Sequence, residues 1–203
     1  MKRIVMSALF LLLVTGSLQA AEVSVGSNQI LAHSLRAFGW EKDTAFISML
    51  QVRAASEFSP QWDYTASFGY SDLSGITEGF VGERQTYEPA LGLRKRFRTH
   101  AHGLWPYLQA ALAFPIVEVS YTAYNTSNQL VTFSHTAWSP VLTAGVGLTY
   151  YPPVGRQDLF GISAEAGYRT PGNFEFHQVG TLHDRSFSWG LFVCVNPQGQ
   201  MTF

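Results

Sequence analysis

Six histidines are the first residues with chemistry to offer: His33, His100, His102, His135, His177 and His183. Two of them stand beside a serine, in His33-Ser34 and Ser134-His135, the residue types that nucleophilic catalysis combines. Adjacent side chains on an extended chain project to opposite faces, so neither pair makes a dyad by itself. His100-Ala101-His102 does place two imidazoles on one face. Two nitrogen ligands without a nearby carboxylate or thiolate fall short of a metal site. The single cysteine, Cys194, rules out an intramolecular disulfide and reads as a small buried residue. No catalytic residue, metal site or cofactor is assigned from these groups.

Charge is the second resource. Charged residues make up 13% of the 203 positions, about half the usual share of a soluble domain. The formal net charge of -1 gives no electrostatic reason to expect a nucleic-acid partner. The few charges recur in alternating stretches, on the face shared with Gly, Ser and Thr. They are Arg53, Glu57, Asp63, Glu88, Arg94, Arg96, Glu165 and Arg169.

The elements that must position them are strands. In 62–70, Trp62, Tyr64, Ala66, Phe68 and Tyr70 share one face, against Asp63, Thr65, Ser67 and Gly69. In 138–150, Trp138, Leu142, Ala144, Val146, Leu148 and Tyr150 oppose Thr143, Gly145, Gly147 and Thr149. The spans 160–168 and 187–195 alternate in the same way. Residues 22–31, 44–58, 85–97 and 104–116 complete the set, the first interrupted by Asn28 and Gln29. Connections alternate between short turns, such as Glu57 to Gln61, and longer segments at 32–43, 71–84, 117–137 and 169–185. This order predicts an all-β fold, an eight-stranded antiparallel up-and-down barrel.

Three features put its apolar face outward, into lipid. Aromatics stand at both ends of that face, as Trp62 with Tyr70 and Trp138 with Tyr150. The span from Trp62 to Tyr70 covers roughly 20 Å along the membrane normal, at ~3.3 Å per residue and ~40° tilt. The other face is rich in Gly and Ser, which suits a narrow filled interior. These charges then fall inside, where opposite signs must pair because an unpaired buried charge costs several kcal/mol. Arg53, Arg94 and Glu165 fall at similar heights and are expected to form one network across the lumen. That network reads either as a plug or as the gate of a narrow pore.

The two ends of the chain fit this placement. Lys2 and Arg3 precede the apolar run Ile4 to Val14, too short to span as a helix, and Leu18-Gln19-Ala20 offers a cleavage site. Residues 1–20 therefore read as a signal peptide and 21–203 as the barrel. Near the other end, Ser188, Gly190, Val193 and Val195 within 188–195 resemble the β-signal recognised by the outer-membrane barrel assembly machinery, which is an expected partner.

The chain resembles the small bacterial outer-membrane β-barrels that include the OmpA transmembrane domain, OmpX and OmpW. The phrases that carry this are Glu57-Phe58-Ser59-Pro60-Gln61-Trp62, Ala90-Leu91-Gly92-Leu93-Arg94, Ala144-Gly145-Val146-Gly147-Leu148-Thr149-Tyr150 and Ala164-Glu165-Ala166-Gly167-Tyr168. The resemblance implies the outer membrane of a Gram-negative envelope and contact with its lipid and lipopolysaccharide. It also implies a non-enzymatic structural or surface-interaction role, with a narrow pore or apolar solute binding as refinements. Two other classes stay open. One is a lipid A-modifying barrel of the PagL or PagP type; Ser134-His135-Thr136-Ala137 departs from the PagL-like His-x-Ser-Asn pattern at the serine. The other is a soluble periplasmic ligand-binding barrel.

The segment 117–137 carries a further expectation. Val117, Val119 and Tyr121, then Val131 and Phe133, alternate on either side of Asn125-Thr126-Ser127-Asn128, so a hairpin should extend beyond the membrane. Apolar residues occupy even positions before Pro115 and odd ones after it, which aims Val119, Tyr121 and Phe133 at the barrel axis. With Trp40 and Trp138 at its border, this predicts an apolar pocket at the external mouth for a small apolar ligand.

Overall fold

Side-chain alternation with period two, sustained over long stretches, leaves the backbone little choice but a pleated sheet. The computed structural model describes residues 22–37, 40–77, 80–97, 103–124, 126–152, 160–176 and 180–195, without the side chains of 31–37, 40–46, 73–77, 80–82, 123 and 180–186. Ten strand segments run in chain order: β1 (Glu22–Ala37), β2 (Trp40–Ser59), β3 (Trp62–Thr77), β4 (Phe80–Arg96), β5 (Leu104–Ala113), β6 (Ile116–Tyr124), β7 (Leu130–Trp138), β8 (Val141–Tyr150), β9 (Phe160–Phe176) and β10 (Gly180–Val195).

These segments make eight staves. β4 pairs first with β5 and then with β6, so β5 and β6 form one stave broken at Phe114-Pro115. β5 pairs with β8 and β6 with β7, a second stave broken at Ser139-Pro140. Proline has no N–H to give the ladder, which accounts for both breaks. The donors beside them find carbonyls: Phe114 N–H reaches Pro89 O at 2.9 Å and Ser139 N–H reaches Pro115 O at 3.3 Å. β1 pairs with β10 from Val23↔Val195 to Ile30↔Ser188, closing an antiparallel eight-stranded barrel.

Parity separates the two faces. Leu91, Leu142, Ile162 and Val193 are each more than half exposed on the outside, while Arg53, Asp63, Arg94 and Cys194 are buried inside. Closure through β1 and β10 leaves neither terminal strand a free edge from Val23↔Val195 to Ile30↔Ser188, as a membrane-spanning sheet requires.

Three segments read as loops are strands. β1 and β2 stay paired from Ile30↔Ile47 to Ala37↔Trp40, and β3 and β4 from Asp72↔Gln85 to Thr77↔Phe80. β9 and β10 likewise pair up to Phe176↔Gly180. The expected 32–43, 71–84 and 169–185 loops are thus largely paired strand. Backbone hydrogen bonds extend a ladder without needing an apolar face, so the strands continue where the alternation in the sequence fades. The 117–137 segment forms β6 and β7, with Asn128 in the left-handed region (φ 57°) at their turn. Asn28 and Gln29 do not interrupt β1; the ladder passes through them on both sides, and Gln29 accepts a bond from Ser48 Oγ on the outer face.

At the opposite end the connections are short. Arg96 N–H closes onto Gln61 O at 2.8 Å. Gly103 holds a φ of 75°, open to glycine, and its carbonyl accepts the Tyr151 N–H at 2.8 Å. The expected signal peptide, residues 1–20, lies outside the described residues.

Candidate functional site

The lumen is organised in layers. Nearest the end that carries Glu22 and Val195, Arg94 bridges two strands. Its Nη1 donates to Glu22 Oε1 at 2.6 Å and its Nε to Asp63 Oδ2 at 2.8 Å. Arg96 Nη2 pairs with Glu57 Oε2 at 2.7 Å and Asp63 Oδ1 at 3.0 Å. Tyr151 O–H donates to the other Glu22 oxygen at 2.7 Å.

The middle layer is centred on Glu165. Arg53 donates through Nη1 and Nη2 to its two oxygens at 2.9 and 2.8 Å. Gln109 Nε2 and Tyr107 O–H add bonds of 2.9 and 3.0 Å to Oε2. Tyr107 O–H also lies 2.8 Å from Ser163 Oγ. The Arg53 guanidinium stacks over the Phe192 ring at 4.7 Å. Gly147 makes room for Tyr107: a Cβ there would come within 2.1 Å of the ring.

The third layer is the pair Arg169–Glu88, with contacts of 2.8 and 2.6 Å. Between it and the Glu165 layer lies a polar cavity of about 50 Å³ lined by Asn28, Gln51, Arg53, Glu88, Glu165 and Arg169 among others. Gln51 Nε2 bonds Ser67 Oγ at 3.1 Å, while Gln51 Oε1 and Asn28 Oδ1 have no protein donor. A polar space of this size suits a few waters.

Beyond the third layer buried apolar side chains stand among the buried Ser71, Arg84 and Thr86. Ile30, Ile47 and Met49 cluster on one side. Val117, Val141 and Phe174 are buried to 0–1% exposure.

All the charges predicted for the lumen are therefore inside, but their partners differ from the single expected cluster. Arg53 and Glu165 meet directly. Arg94 takes Glu22 and Asp63 instead, and approaches the other pair only where its guanidinium lies 5.4 Å from the Tyr107 ring. Strand tilt and shear explain the offset, because equal counts along neighbouring strands are not equal heights in a barrel. Glu22, Tyr107, Gln109 and Tyr151 escaped the sequence reading. Parity would have found Tyr107 and Gln109, which alternate with outward Pro106 and Leu108; Glu22 sits at the very start of the first strand, where the pattern is too short to read.

The expected mouth pocket divides. Val119 is buried, and the Tyr121 ring stacks on Phe133 at 5.3 Å and on His135 at 5.9 Å. Trp138 turns outward, 66% exposed, because even positions of β7 and β8 face away from the axis. The side chain of Trp40 lies outside the described residues. In the last strand, Ser188 lines the cavity, Gly190 is buried under the Phe192 ring, Val193 faces outward and Val195 pairs with Val23.

His135 is the one histidine with a described side chain. Its neighbour Ser134 donates to Glu118 Oε1 at 3.2 Å, away from the ring. Among the described residues no group of three His, Cys, Asp or Glu side chains could hold a metal ion.

No protein-family model and no curated protein matches the chain. Solved structures do. Neisserial surface protein A (NspA) matches at 14% identity with a TM-score of 0.60, covering 86% of this chain and 96% of that one. Ail, the attachment invasion locus protein of Yersinia pestis, matches at 17% identity with a TM-score of 0.50, covering 86% and 95%. That Ail structure contains the heparin analogue sucrose octasulfate. The chain thus has the fold of the small eight-stranded outer-membrane β-barrels.

Proposed function

We propose that this chain is a non-enzymatic barrel of the bacterial outer membrane whose lumen is held shut by ion pairs. Its work then falls to the strands that extend past the external membrane surface. The carrying observation is the Glu165 carboxylate on β9, which gathers Arg53 from β2 and Tyr107 and Gln109 from β5 across the axis. An interior of this width has room for side chains and little else. In this reading the end with Glu22 and Val195 is periplasmic, and the β6–β7 hairpin is external.

The extended strands carry acidic groups among their described outward side chains: Asp72, Glu83, Glu118 and Glu175. A surface of that sign does not favour the sulfated sugar found on Ail. It favours a cationic or neutral partner beside the surrounding lipopolysaccharide. Conductance across planar bilayers tests the seal: the wild type stays silent, and steady channels would overturn the reading. Lipid A of unchanged mass in cells that express the protein is the matching expectation for a non-enzyme; a mass shift lost in Ser134→Ala would instead establish lipid modification.

A further inference from the structure

Above Arg169 the wall of the cylinder is not continuous. β8 and β9 pair only from Tyr150↔Ile162 to Thr143↔Arg169. Beyond that point β7 pairs with β6, and the rest of β9 pairs with β10, so a seam separates β7 from β9. Each lip carries a proline, Pro140 and Pro171, and neither can donate to the other strand. β9 also gains a residue here. Asp184 faces Gly172 while Ser186 faces Arg169, a bulge at Thr170-Pro171.

Two hydroxyls hold the lips together. Leu142 N–H donates to Thr170 Oγ1 at 3.0 Å, and Asn173 N–H donates to Ser139 Oγ at 3.1 Å. Everywhere in the apolar band below, backbone ladders join the staves; at this seam two side-chain latches replace them.

The bulge reverses which side chains of β9 face the axis. Arg169 points inward below it, and Gly172, Phe174 and Phe176 are buried above it. The Phe174 ring lies across Gly172 against Val141: a Cβ on Gly172 would sit 2.8 Å from the ring and 3.3 Å from a Val141 methyl. Phe174 therefore stands directly behind the seam. The outer face beside it is apolar as well, with Leu142, Tyr168 and Trp138 each about 60% exposed or more.

We propose that the seam is a lateral entry for one acyl chain of the surrounding lipid, with Phe174 as its stopper. The occupant follows from the surfaces on its two sides. The outer lips are flanked by the exposed apolar Leu142, Tyr168 and Trp138, where acyl chains are what the wall meets, and the side chains directly behind them, Phe174 and Val141, are apolar. Parting the lips breaks these two N–H to hydroxyl bonds and no backbone ladder. The entry lies on the external side of the Arg169–Glu88 pair, so it is independent of the seal against ions and survives its failure.

Photolabelling tests this. The full chain, folded in phosphatidylcholine vesicles that contain a fatty acid with a diazirine at its chain end, is irradiated, and adducts are mapped residue by residue. A Ser139→Cys/Asn173→Cys variant in a Cys194→Ala background closes the seam when oxidised and releases it when reduced; heat-modifiable gel migration verifies folding. Adducts on Val117 and Phe174 are expected in the wild type and the reduced variant. The oxidised variant should lose them and keep those on outward Leu142 and Trp138. Phe174→Ala should raise labelling of Val117 and Val141 several-fold. Absence of interior adducts in both wild type and Phe174→Ala overturns the proposal. Equal interior labelling of oxidised and reduced forms also overturns it, since the chain would then enter through the external mouth.

Discussion

Arg53 on β2 and Glu165 on β9 meet across the barrel axis through two parallel hydrogen bonds of 2.9 and 2.8 Å, although 112 residues separate them in the chain. Both side chains are 7% exposed. A bidentate guanidinium–carboxylate pair is among the stronger hydrogen-bonded arrangements, but both ions have given up water to form it. Its contribution is therefore asymmetric: intact it is nearly neutral, and half of it is costly.

That asymmetry predicts a mutational cycle. Glu165→Ala leaves Arg53, Tyr107 and Gln109 without their acceptor and should cost about 3–5 kcal/mol. Arg53→Met/Glu165→Leu should lie much closer to the wild type. Urea unfolding of the protein in lipid vesicles measures both; equal losses in the single and paired variants would contradict the account.

The Arg94 layer should be the more sensitive of the two arginine sites at the periplasmic end. Arg94 serves Glu22 and Asp63, both with side chains at most 6% exposed, whereas the Glu57 partner of Arg96 is 26% exposed. Water can compensate Glu57 but not Asp63. Arg94→Met should therefore destabilise by about 3–5 kcal/mol, and Arg96→Met by less, in the same unfolding assay.

Depth along the outer face sets the cost of a charge placed there. Leu191 is 55% exposed near the middle of its apolar span, while Phe160 is 58% exposed at the end of its own. Leu191→Arg should cost about 2–4 kcal/mol and Phe160→Arg about 0–1 kcal/mol in a bilayer. A soluble barrel would tolerate both substitutions equally, so the difference tests the orientation of the wall.

Gly147 offers a steric test. A methyl group there would strike the Tyr107 ring, which must then abandon Glu165 or Ser163. Gly147→Ala is expected to cost about 1–3 kcal/mol by overpacking. Gly147→Ala in a Tyr107→Phe background tests whether the lost hydroxyl bonds or the ring collision dominates: little further loss indicates the bonds.

The staves of the barrel could be read from the chain because the alternation is a local signal, written residue by residue wherever one face meets lipid. Strands 62–70 and 138–150 show it in full. The same signal fades beyond Tyr70 and Tyr168, where the ladder prolongs the strands and a bulge at Thr170-Pro171 shifts the parity of β9.

Parity by itself sent the eight charges named from the sequence into the lumen, because a period of two turns every second side chain inward. It could not decide who meets whom. Pairing Arg53 with Glu165, and Arg94 with Glu22 and Asp63, depends on tilt and shear, which offset one strand against the next only when the sheet closes. The seam beside Phe174 belongs to the same class. Pro140 and Pro171 are visible in the sequence, but only closure of the cylinder sets them on facing lips, with two hydroxyls left to join what the ladder cannot.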